Sequence, residues 1–316
     1  MKKTLSWLMC LGLIFSLSAC SSTTKENDDD TTVDTATEYS NIAYGTQSSA
    51  QTLNIYLPEE GEGPFPVIVA IHGGAFKMGS ATGGDVAAML KGVDYGYAVV
   101  SINYRLSSEA VFPAAVNDCK AAIRFIKANA EKYNLDADKI AVWGDSAGGN
   151  LAAMVGTTGS LDAINAEVIE NAEYSSSVQA VVDWFGPLDF LAMDEQFASS
   201  GVTPKMGATT IESSPESQYI GQLISIDPEL TQQANPATYI STMDVETAPK
   251  FFIQHGTADG NVPSQQSIDF AALLTPVLGE DHVTLELLEG AGHGTSEFTA
   301  HANLDKVYAF LDSVLK

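Results

Sequence analysis

Cysteine is scarce in this chain, and its scarcity excludes a disulfide framework. Three cysteines occur among 316 residues. Cys10 lies in an apolar N-terminal stretch and Cys20 closes that stretch, so Cys119 alone remains for the body of the chain and has no partner. Cys119 shares an apolar stripe with Val116 and Ile123, which predicts a buried helix face where cysteine acts as a small core residue.

Basic residues are also few, and the charge balance excludes a second group of functions. Lysine and arginine together number 15 against 40 acidic residues, which gives a formal net charge of −25. A surface this negative repels nucleic-acid phosphates and anionic lipid, so we do not expect nucleic-acid binding. Cysteine and histidine nowhere have the spacing of zinc ligands, so we expect no metal and no cofactor.

What the chain does have is the composition of a packed globular protein. Hydrophobic residues make up 45% and charged residues 17% of the sequence. These proportions exclude a disordered, collagen-like or coiled-coil chain. The length suits one large α/β domain or two small ones.

The N-terminus has the pattern of a secretory leader. Two lysines precede an apolar run, residues 5–17, which is too short for a good membrane-spanning helix. Residues 17–20, Leu-Ser-Ala-Cys, resemble the lipobox of bacterial lipoproteins, in which the cysteine is lipidated and becomes the new N-terminus. We therefore predict a signal peptide over residues 1–20, lipidation of Cys20, and a lipid-anchored protein of the cell envelope that faces outside the cytoplasm. An ordinary secreted protein is the alternative.

A polar segment separates this leader from the rest of the chain. Residues 21–34 are acidic and contain a single apolar residue, which is too little to form a core. We predict a flexible tether over residues 21–45 and one folded domain over residues 46–316.

Strands and helices alternate along the folded domain. Apolar runs predict seven strands, the first an antiparallel edge strand: residues 52–57, 67–71, 97–102, 140–143, 178–185, 251–254 and 283–288. Helical patterns predict helices over residues 86–92, 113–131, 147–155, 265–274 and 298–314. The alternation predicts an α/β fold, with a mostly parallel central sheet, helices on both faces, and ligands at the carboxyl ends of the strands. Residues 156–177 and 188–239 fit neither pattern, and the second stretch is long enough to form a small cap over a site.

A serine stands between a predicted strand and a predicted helix. The segment Gly144-Asp145-Ser146-Ala147-Gly148 has the form G-x-S-x-G. Its glycines allow the strained turn that exposes a nucleophilic serine. The following helix puts the Ala147 amide and the helix dipole where an oxyanion would form. Ser146 is the candidate nucleophile, and it needs a base.

His293 is the candidate base among five histidines. It lies in a glycine loop directly after the last predicted strand, at the carboxyl edge of the sheet. We expect His72 and His255, which adjoin glycine turns, to be structural. The base in turn needs a carboxylate that fixes its tautomer.

Two aspartates compete for the role of that carboxylate. Asp259 follows a predicted strand and a glycine turn and is the preferred candidate. Asp189, just past the preceding predicted strand, is the competitor, while Asp183 inside that strand is expected to be structural. The order Ser146, Asp259, His293 is the nucleophile–acid–base order of α/β-hydrolases.

A second glycine turn lies upstream of the serine. His72-Gly73-Gly74-Ala75-Phe76 follows an apolar strand. Glycines there allow backbone N–H groups to turn inward without a side chain blocking the acyl pocket, as an oxyanion hole requires. A plain tight turn is the alternative.

Five segments together resemble a known family. They are HGGAF at 72–76, NYRLSSEAVFP at 103–113, VWGDSAGGNLAAM at 142–154, HGTADGNVP at 255–263 and GAGHG at 290–294. The combination is similar to α/β-hydrolase esterases of the hormone-sensitive-lipase-like group, and most of all to the bacterial feruloyl-esterase-like (BD-FAE) branch. HGGAF stands where the wider group has HGGG, and YRLSSE where it has YRLAPE. We interpret Arg105 and Glu109 in the latter motif as structural.

The resemblance implies roles for particular residues. Ser146, Asp259 and His293 would form a catalytic triad. The amides of three residues would form the oxyanion hole: Gly74, Ala75 and Ala147.

The resemblance also implies a function. It is that of a serine carboxylic-ester hydrolase acting on feruloyl, acetyl or other small acyl and aryl esters of carbohydrate, which contacts a membrane only through the N-terminal lipid. A serine peptidase of the prolyl-oligopeptidase type is one alternative, although only about fifty residues precede the first predicted strand, where such enzymes have a large gating domain. A non-enzymatic binding protein is the other, although that class normally lacks a triad member.

Overall fold

The computed structural model describes residues 39–161, 164 and 170–316. The predicted leader, Cys20 and most of the predicted tether lie outside these residues. In the described part of the chain, no helix combines the length and the apolar character needed to cross a membrane.

A twisted sheet of eight strands organises the described residues and confirms the predicted α/β class. In chain order the strands are β1 (Tyr39–Ala43), β2 (Thr52–Tyr56), β3 (Phe65–Ile71), β4 (Ala98–Ile102), β5 (Leu135–Asp145), β6 (Ala180–Trp184), β7 (Lys250–Gly256) and β8 (Val283–Leu288). They lie side by side in the order β1-β2-β4-β3-β5-β6-β7-β8. Strand β2 pairs antiparallel with β1 and β4, and all other pairs are parallel. The carboxyl ends of the parallel strands therefore share one edge of the sheet.

Strand β1 corrects two predictions. It lies inside the predicted tether of residues 21–45, and because it pairs with β2, strand β2 is not the edge of the sheet. The register shifts between Tyr39 and Ile42, and this irregularity breaks the polar–apolar alternation by which a strand is recognised in a sequence. The folded domain therefore includes residues 39–45 and does not begin at residue 46.

Helices pack on both faces of the sheet. They are α1 (Ala87–Leu90), α2 (Ala114–Ala128), α3 (Ala147–Thr158), α4 (Met193–Ser200), α5 (Pro215–Ile220), α6 (Pro228–Gln232), α7 (Gln265–Leu278), α8 (Ser296–Thr299) and α9 (His301–Leu315). Alternate residues of β3 belong to different apolar clusters: Val67 and Val69 pack with α2, α3 and α7, whereas Ile68 and Ala70 pack with α1 and α9. Cys119 is fully buried in α2, as predicted.

Two predicted helices differ in detail from the observed ones. The helix predicted over residues 86–92 is a short α1 between two 3₁₀ turns, at Gly84–Val86 and Lys91–Tyr95. The helix predicted over residues 298–314 is divided into α8 and α9 by Ala300, whose ψ of 138° is not helical.

The stretch over residues 188–239 contains helices α4, α5 and α6 and a 3₁₀ turn at Pro236–Thr242, although the sequence predicts no helix there. Ser214, Asp227 and Asn235 each accept a hydrogen bond at a helix start from an amide two or three residues further on, and each is followed by proline. These pairs are N-caps with proline in the first turn. Helices of five and six residues are too short to show an apolar period, so the serines and prolines suggested a loop.

Arg105 and Glu109 have structural contacts, as predicted. Arg105 Nη2 lies 2.7 Å from Asp118 Oδ1, and the Asp118 side chain is fully buried. Gln51 Nε2 donates to the same carboxylate oxygen at 2.7 Å. The Glu109 carboxylate accepts a hydrogen bond from the hydroxyl of Ser48. These contacts join the loop after β4 to helix α2 and to the turn before β2.

Candidate active site

Ser146 occupies a strained turn between strand β5 and helix α3. Its φ of 53° lies in the left-handed region, which costs energy for a residue other than glycine. The turn needs glycine on both sides: a Cβ on Gly144 would lie 2.0 Å from the carbonyl oxygen of Gly148, and one on Gly148 would lie 2.1 Å from that of Ile71. The Ser146 amide donates to the Trp184 carbonyl at 2.8 Å. The serine is therefore held at the carboxyl edge of the sheet.

His293 reaches Ser146 from the loop that follows β8. Its Nε2 lies 2.8 Å from Ser146 Oγ, and its Nδ1 lies 2.7 Å from Asp259 Oδ2. An ionised carboxylate only accepts hydrogen bonds, so Nδ1 carries the proton and Nε2 accepts from the serine hydroxyl. The edge of the Phe185 ring packs against the imidazole, with ring centroids 4.6 Å apart.

Asp259 is buried at the end of β7 and oriented by backbone donors. Its Oδ1 accepts from the amides of Asn261 at 2.8 Å and Val262 at 3.0 Å. Burial alone would raise the pKa of Asp259, but hydrogen bonds with His255 and His293 outweigh it and hold the pKa below its usual value. Asp259 therefore stays ionised throughout the neutral range.

Asp189, the competitor, and Asp183, the expected structural residue, have other partners. Asp189 Oδ1 accepts from the Leu191 amide at 3.2 Å. Asp183 Oδ1 accepts from the Gly186 amide at 3.0 Å, in the loop that packs beside the nucleophile turn. The structure thus brings Asp259, the preferred candidate, to the histidine.

His255 adds a contact to Asp259 that sequence reasoning assigned to no role at the site. The fully buried His255 ring lies with Nε2 3.4 Å from Asp259 Oδ2 and 3.0 Å from the Val262 carbonyl. Its Nδ1 lies 2.7 Å from the hydroxyl of Ser267. The signal was present in the sequence, because His255 stands four residues before Asp259, where a turn brings the two side chains together.

The glycine turn after β3 lies beside Ser146 and has an unusual backbone. Gly74, Ala75 and Phe76 all have positive φ, at 103°, 55° and 59°. The Gly74 carbonyl accepts from the amides of Lys77 and Met78, which closes the turn. Among the described residues, no acceptor takes up the amide of Gly74, Ala75 or Ala147. All three residues line the cavity that contains Ser146, so their amides are available to an oxygen bound there.

That cavity has a volume of about 510 Å³. Its apolar wall comes mainly from five side chains: Phe76, Met78, Phe185, Met206 and Val262. Met206, Pro215 and Glu216 belong to the stretch over residues 188–239, so the predicted cap does contribute to the site.

Three carboxyl groups in this cavity were not anticipated from the sequence. They are Asp85, Asp145 and Glu216. Burial raises the pKa of Asp145 to about 8, and the Asp85 charge adds to that rise. Burial likewise raises the pKa of Glu216 to about 7. Near neutral pH these two groups are therefore largely protonated or only partly ionised.

The residues described by the structure contain no group of three or more histidine, cysteine or acidic side chains that could hold a metal ion. The cavity does contain the Ser146 hydroxyl, which is hydrogen-bonded to the imidazole of His293 and lies beside backbone amides without a protein acceptor. This arrangement can add a nucleophile to a carbonyl group and stabilise the oxyanion that results.

The chain is similar to known proteins over most of its length. Residues 53–274 match the model of the BD-FAE family. The chain is similar to the esterase LipC and the probable carboxylic ester hydrolase LipM of Mycobacterium tuberculosis, with 30% and 31% identity over 80% and 83% of this chain. It spans only 59% and 55% of the lengths of those two proteins.

Solved structures show the same fold. A truncated form of a carbohydrate esterase from gut microbiota has a TM-score of 0.77 and 30% identity, with 87% of this chain and 95% of that chain covered. A bifunctional GH43-CE from Bacteroides eggerthii has a TM-score of 0.76 and 34% identity, with 87% of this chain and 35% of that chain covered.

Proposed function

The chain belongs to the BD-FAE family of α/β-hydrolase esterases, and from this premise we propose that it is a serine carboxylic-ester hydrolase. The observation that carries the proposal is the continuous line of hydrogen bonds from Ser146 through His293 to Asp259, with distances of 2.8 and 2.7 Å. At its Ser146 end the line lies beside amides with no protein acceptor among the described residues. A nucleophile, a base, an acid and free backbone amides in this arrangement are typical of enzymes that transfer acyl groups.

Each part has a defined step in the reaction. Ser146 Oγ attacks the ester carbonyl while His293 Nε2 takes its proton, and the imidazolium is stabilised by Asp259. The carbonyl oxygen becomes an oxyanion that accepts from the amides beside the serine. His293 then donates the proton to the departing alcohol, which leaves an acyl-enzyme on Ser146. Water, deprotonated by His293, attacks the acyl-enzyme and releases the acid and the free serine.

The substrate we propose is a small acyl or aryl ester of carbohydrate, with feruloyl and acetyl groups as the acyl candidates. Similarity to a carbohydrate esterase from gut microbiota supports the carbohydrate part. The cavity of about 510 Å³ has an apolar wall that suits either acyl group. We further propose that Cys20 carries a lipid that anchors the protein in the cell envelope, which the lipobox-like residues 17–20 support.

A panel of substrates tests the proposed activity. The purified protein would be assayed with p-nitrophenyl acetate, methyl ferulate, acetylated xylan and a proline anilide. We expect hydrolysis of one or more esters and none of the anilide. Faster cleavage of the anilide than of any ester would contradict the proposal and favour a peptidase.

A further inference from the structure

Glu216 is a carboxyl group that the proposed mechanism does not use, yet it faces the same cavity as Ser146. It lies in α5, near the start of that helix, and is 7% exposed. Its Oε2 is fully buried and has no hydrogen-bond partner in the described part of the chain. Leaving a buried carboxyl oxygen without a partner destabilises a folded protein, so its presence in a residue that lines the cavity of Ser146 calls for a functional explanation.

The surroundings of Glu216 limit what it can bind. The other side chains of the cavity wall are mostly apolar, and they include Asp145, whose buried Oδ1 also has no hydrogen-bond partner among the described residues. An anionic group would meet the charge of the exposed Asp85 and the partial charge of Glu216, so it would be repelled. A hydroxyl group differs from an ion in this respect, because it donates to a carboxylate and accepts from a carboxylic acid. It therefore fits Glu216 in either protonation state.

We propose that Glu216 determines specificity by hydrogen bonding to hydroxyl groups of the sugar that carries the ester. This inference rests on the proposed esterase function. It adds a residue that selects an ester whose alcohol part carries hydroxyl groups over an ester whose alcohol part carries none. Glu216 belongs to the stretch over residues 188–239, so the cap would both line the cavity and recognise the substrate.

Glu216→Ala tests the inference with three acetate esters of similar size. Acetylated methyl xyloside carries ring hydroxyls, cyclohexyl acetate is a ring without them, and acetylcholine carries a cation. A site that hydrogen bonds to a substrate hydroxyl distinguishes that substrate from one without the hydroxyl. It loses much of this discrimination when the protein side chain that makes the hydrogen bond is removed. We expect kcat/KM for the xyloside ester to fall by roughly 10- to 100-fold, and kcat/KM for cyclohexyl acetate to change by less than about threefold.

Two further variants separate recognition from structure. Glu216→Gln keeps the shape and can still hydrogen bond, so it should recover part of the xyloside activity. It also removes a buried unpaired carboxyl, so its Tm at pH 8 should equal or exceed that of the wild type. Glu212→Ala changes the same residue type in the same stretch at an exposed position, and should leave all three rates unchanged.

The other outcomes overturn the inference. Equal losses with the xyloside and cyclohexyl esters, or a lower Tm for Glu216→Gln, would make Glu216 a structural residue. A larger loss with acetylcholine would assign it to cation binding, and no loss with any ester would remove it from recognition. If the wild type hydrolyses none of the three esters, the proposed function itself fails, and the inference fails with it.

Discussion

Asp259 differs from the other aspartates near the sheet edge in the partners that hold its two oxygens. Two backbone amides fix Oδ1, while His293 and His255 contact Oδ2. Such a carboxylate stays charged and holds its position, as the partner of a catalytic imidazole must. Asp189 has a carboxylate too, but its pKa is raised by burial.

Asp259→Asn therefore tests the assignment of the acid. The amide holds the imidazole in the wrong tautomer, so kcat should fall by roughly 10⁴. Asp189→Asn is the matched control and should change kcat little. The two would be compared by the rate of p-nitrophenyl acetate hydrolysis. A reversal of the two results would place the acid after β6 and contradict the account.

Asp145 bears on how the activity depends on pH. It precedes Ser146, and a Cβ on Gly73 would lie 3.1 Å from its carboxyl oxygens, so the carboxyl group sits beside the start of the oxyanion turn. Burial and the charge of Asp85 raise its pKa to about 8. Its negative form would oppose an oxyanion formed nearby.

Activity should thus fall above about pH 8 as Asp145 ionises. The sequence alone does not predict this fall, because burial of Asp145 is not visible in it. Asp145→Asn should remove the fall from a profile of kcat/KM against pH. A wild-type profile that stays flat to pH 10 would show that Asp145 does not affect the reaction.

The strands and helices show which elements can be predicted from a sequence and which cannot. Strand β3 and helix α2 carry a clear apolar run or helical period, whereas β5 (Leu135–Asp145) was predicted only over its buried residues 140–143 because its residues 136–139 are mostly polar and partly or fully exposed. The chemistry at the ends of β5, β7 and β8 could be predicted because motifs follow those strands. Strand β1 and helices α5 and α6 could not, since a bulge or a length of five or six residues hides the period. Glu216 lies on one of those hidden helices.

Strand β1 gives a test of the corrected domain boundary. It covers the edge of β2, where Leu53 and Ile55 are buried. A truncation that begins the protein at residue 44 should lower Tm by roughly 5–10 °C. Each kcal/mol of unfolding free energy that is lost lowers the Tm of a domain of this size by about 2–4 °C. The exposed edge should also promote aggregation.

The matched control for this truncation begins the protein at residue 39 and keeps β1. Thermal unfolding and light scattering would be measured for both proteins. Equal Tm values and equal solubility would contradict the role given to β1 and return the boundary to residue 46.

The net charge of −25 for the whole chain makes its direct interaction with anionic lipid unfavourable. Attachment to a membrane would therefore depend on the lipid that we propose for Cys20. Cys20→Ser should move the protein from the membrane fraction to the soluble fraction or stop its maturation, whereas Ser21→Ala should not. Immunoblots of the two fractions would measure this, and unchanged membrane association of Cys20→Ser would contradict the lipoprotein proposal.

The Ser146→Ala variant is the most direct test of the proposed mechanism, in which every chemical step passes through one hydroxyl. Hydrolysis of p-nitrophenyl acetate would be measured for this variant and for the wild type, with and without EDTA, after both are shown to have the same circular dichroism spectrum. The account predicts a loss of about 10⁴- to 10⁶-fold in kcat, no effect of EDTA on the wild type, and labelling of wild-type Ser146 by an organophosphorus reagent. Retention of more than a few per cent of the activity by Ser146→Ala would contradict it, because another group would then be the nucleophile.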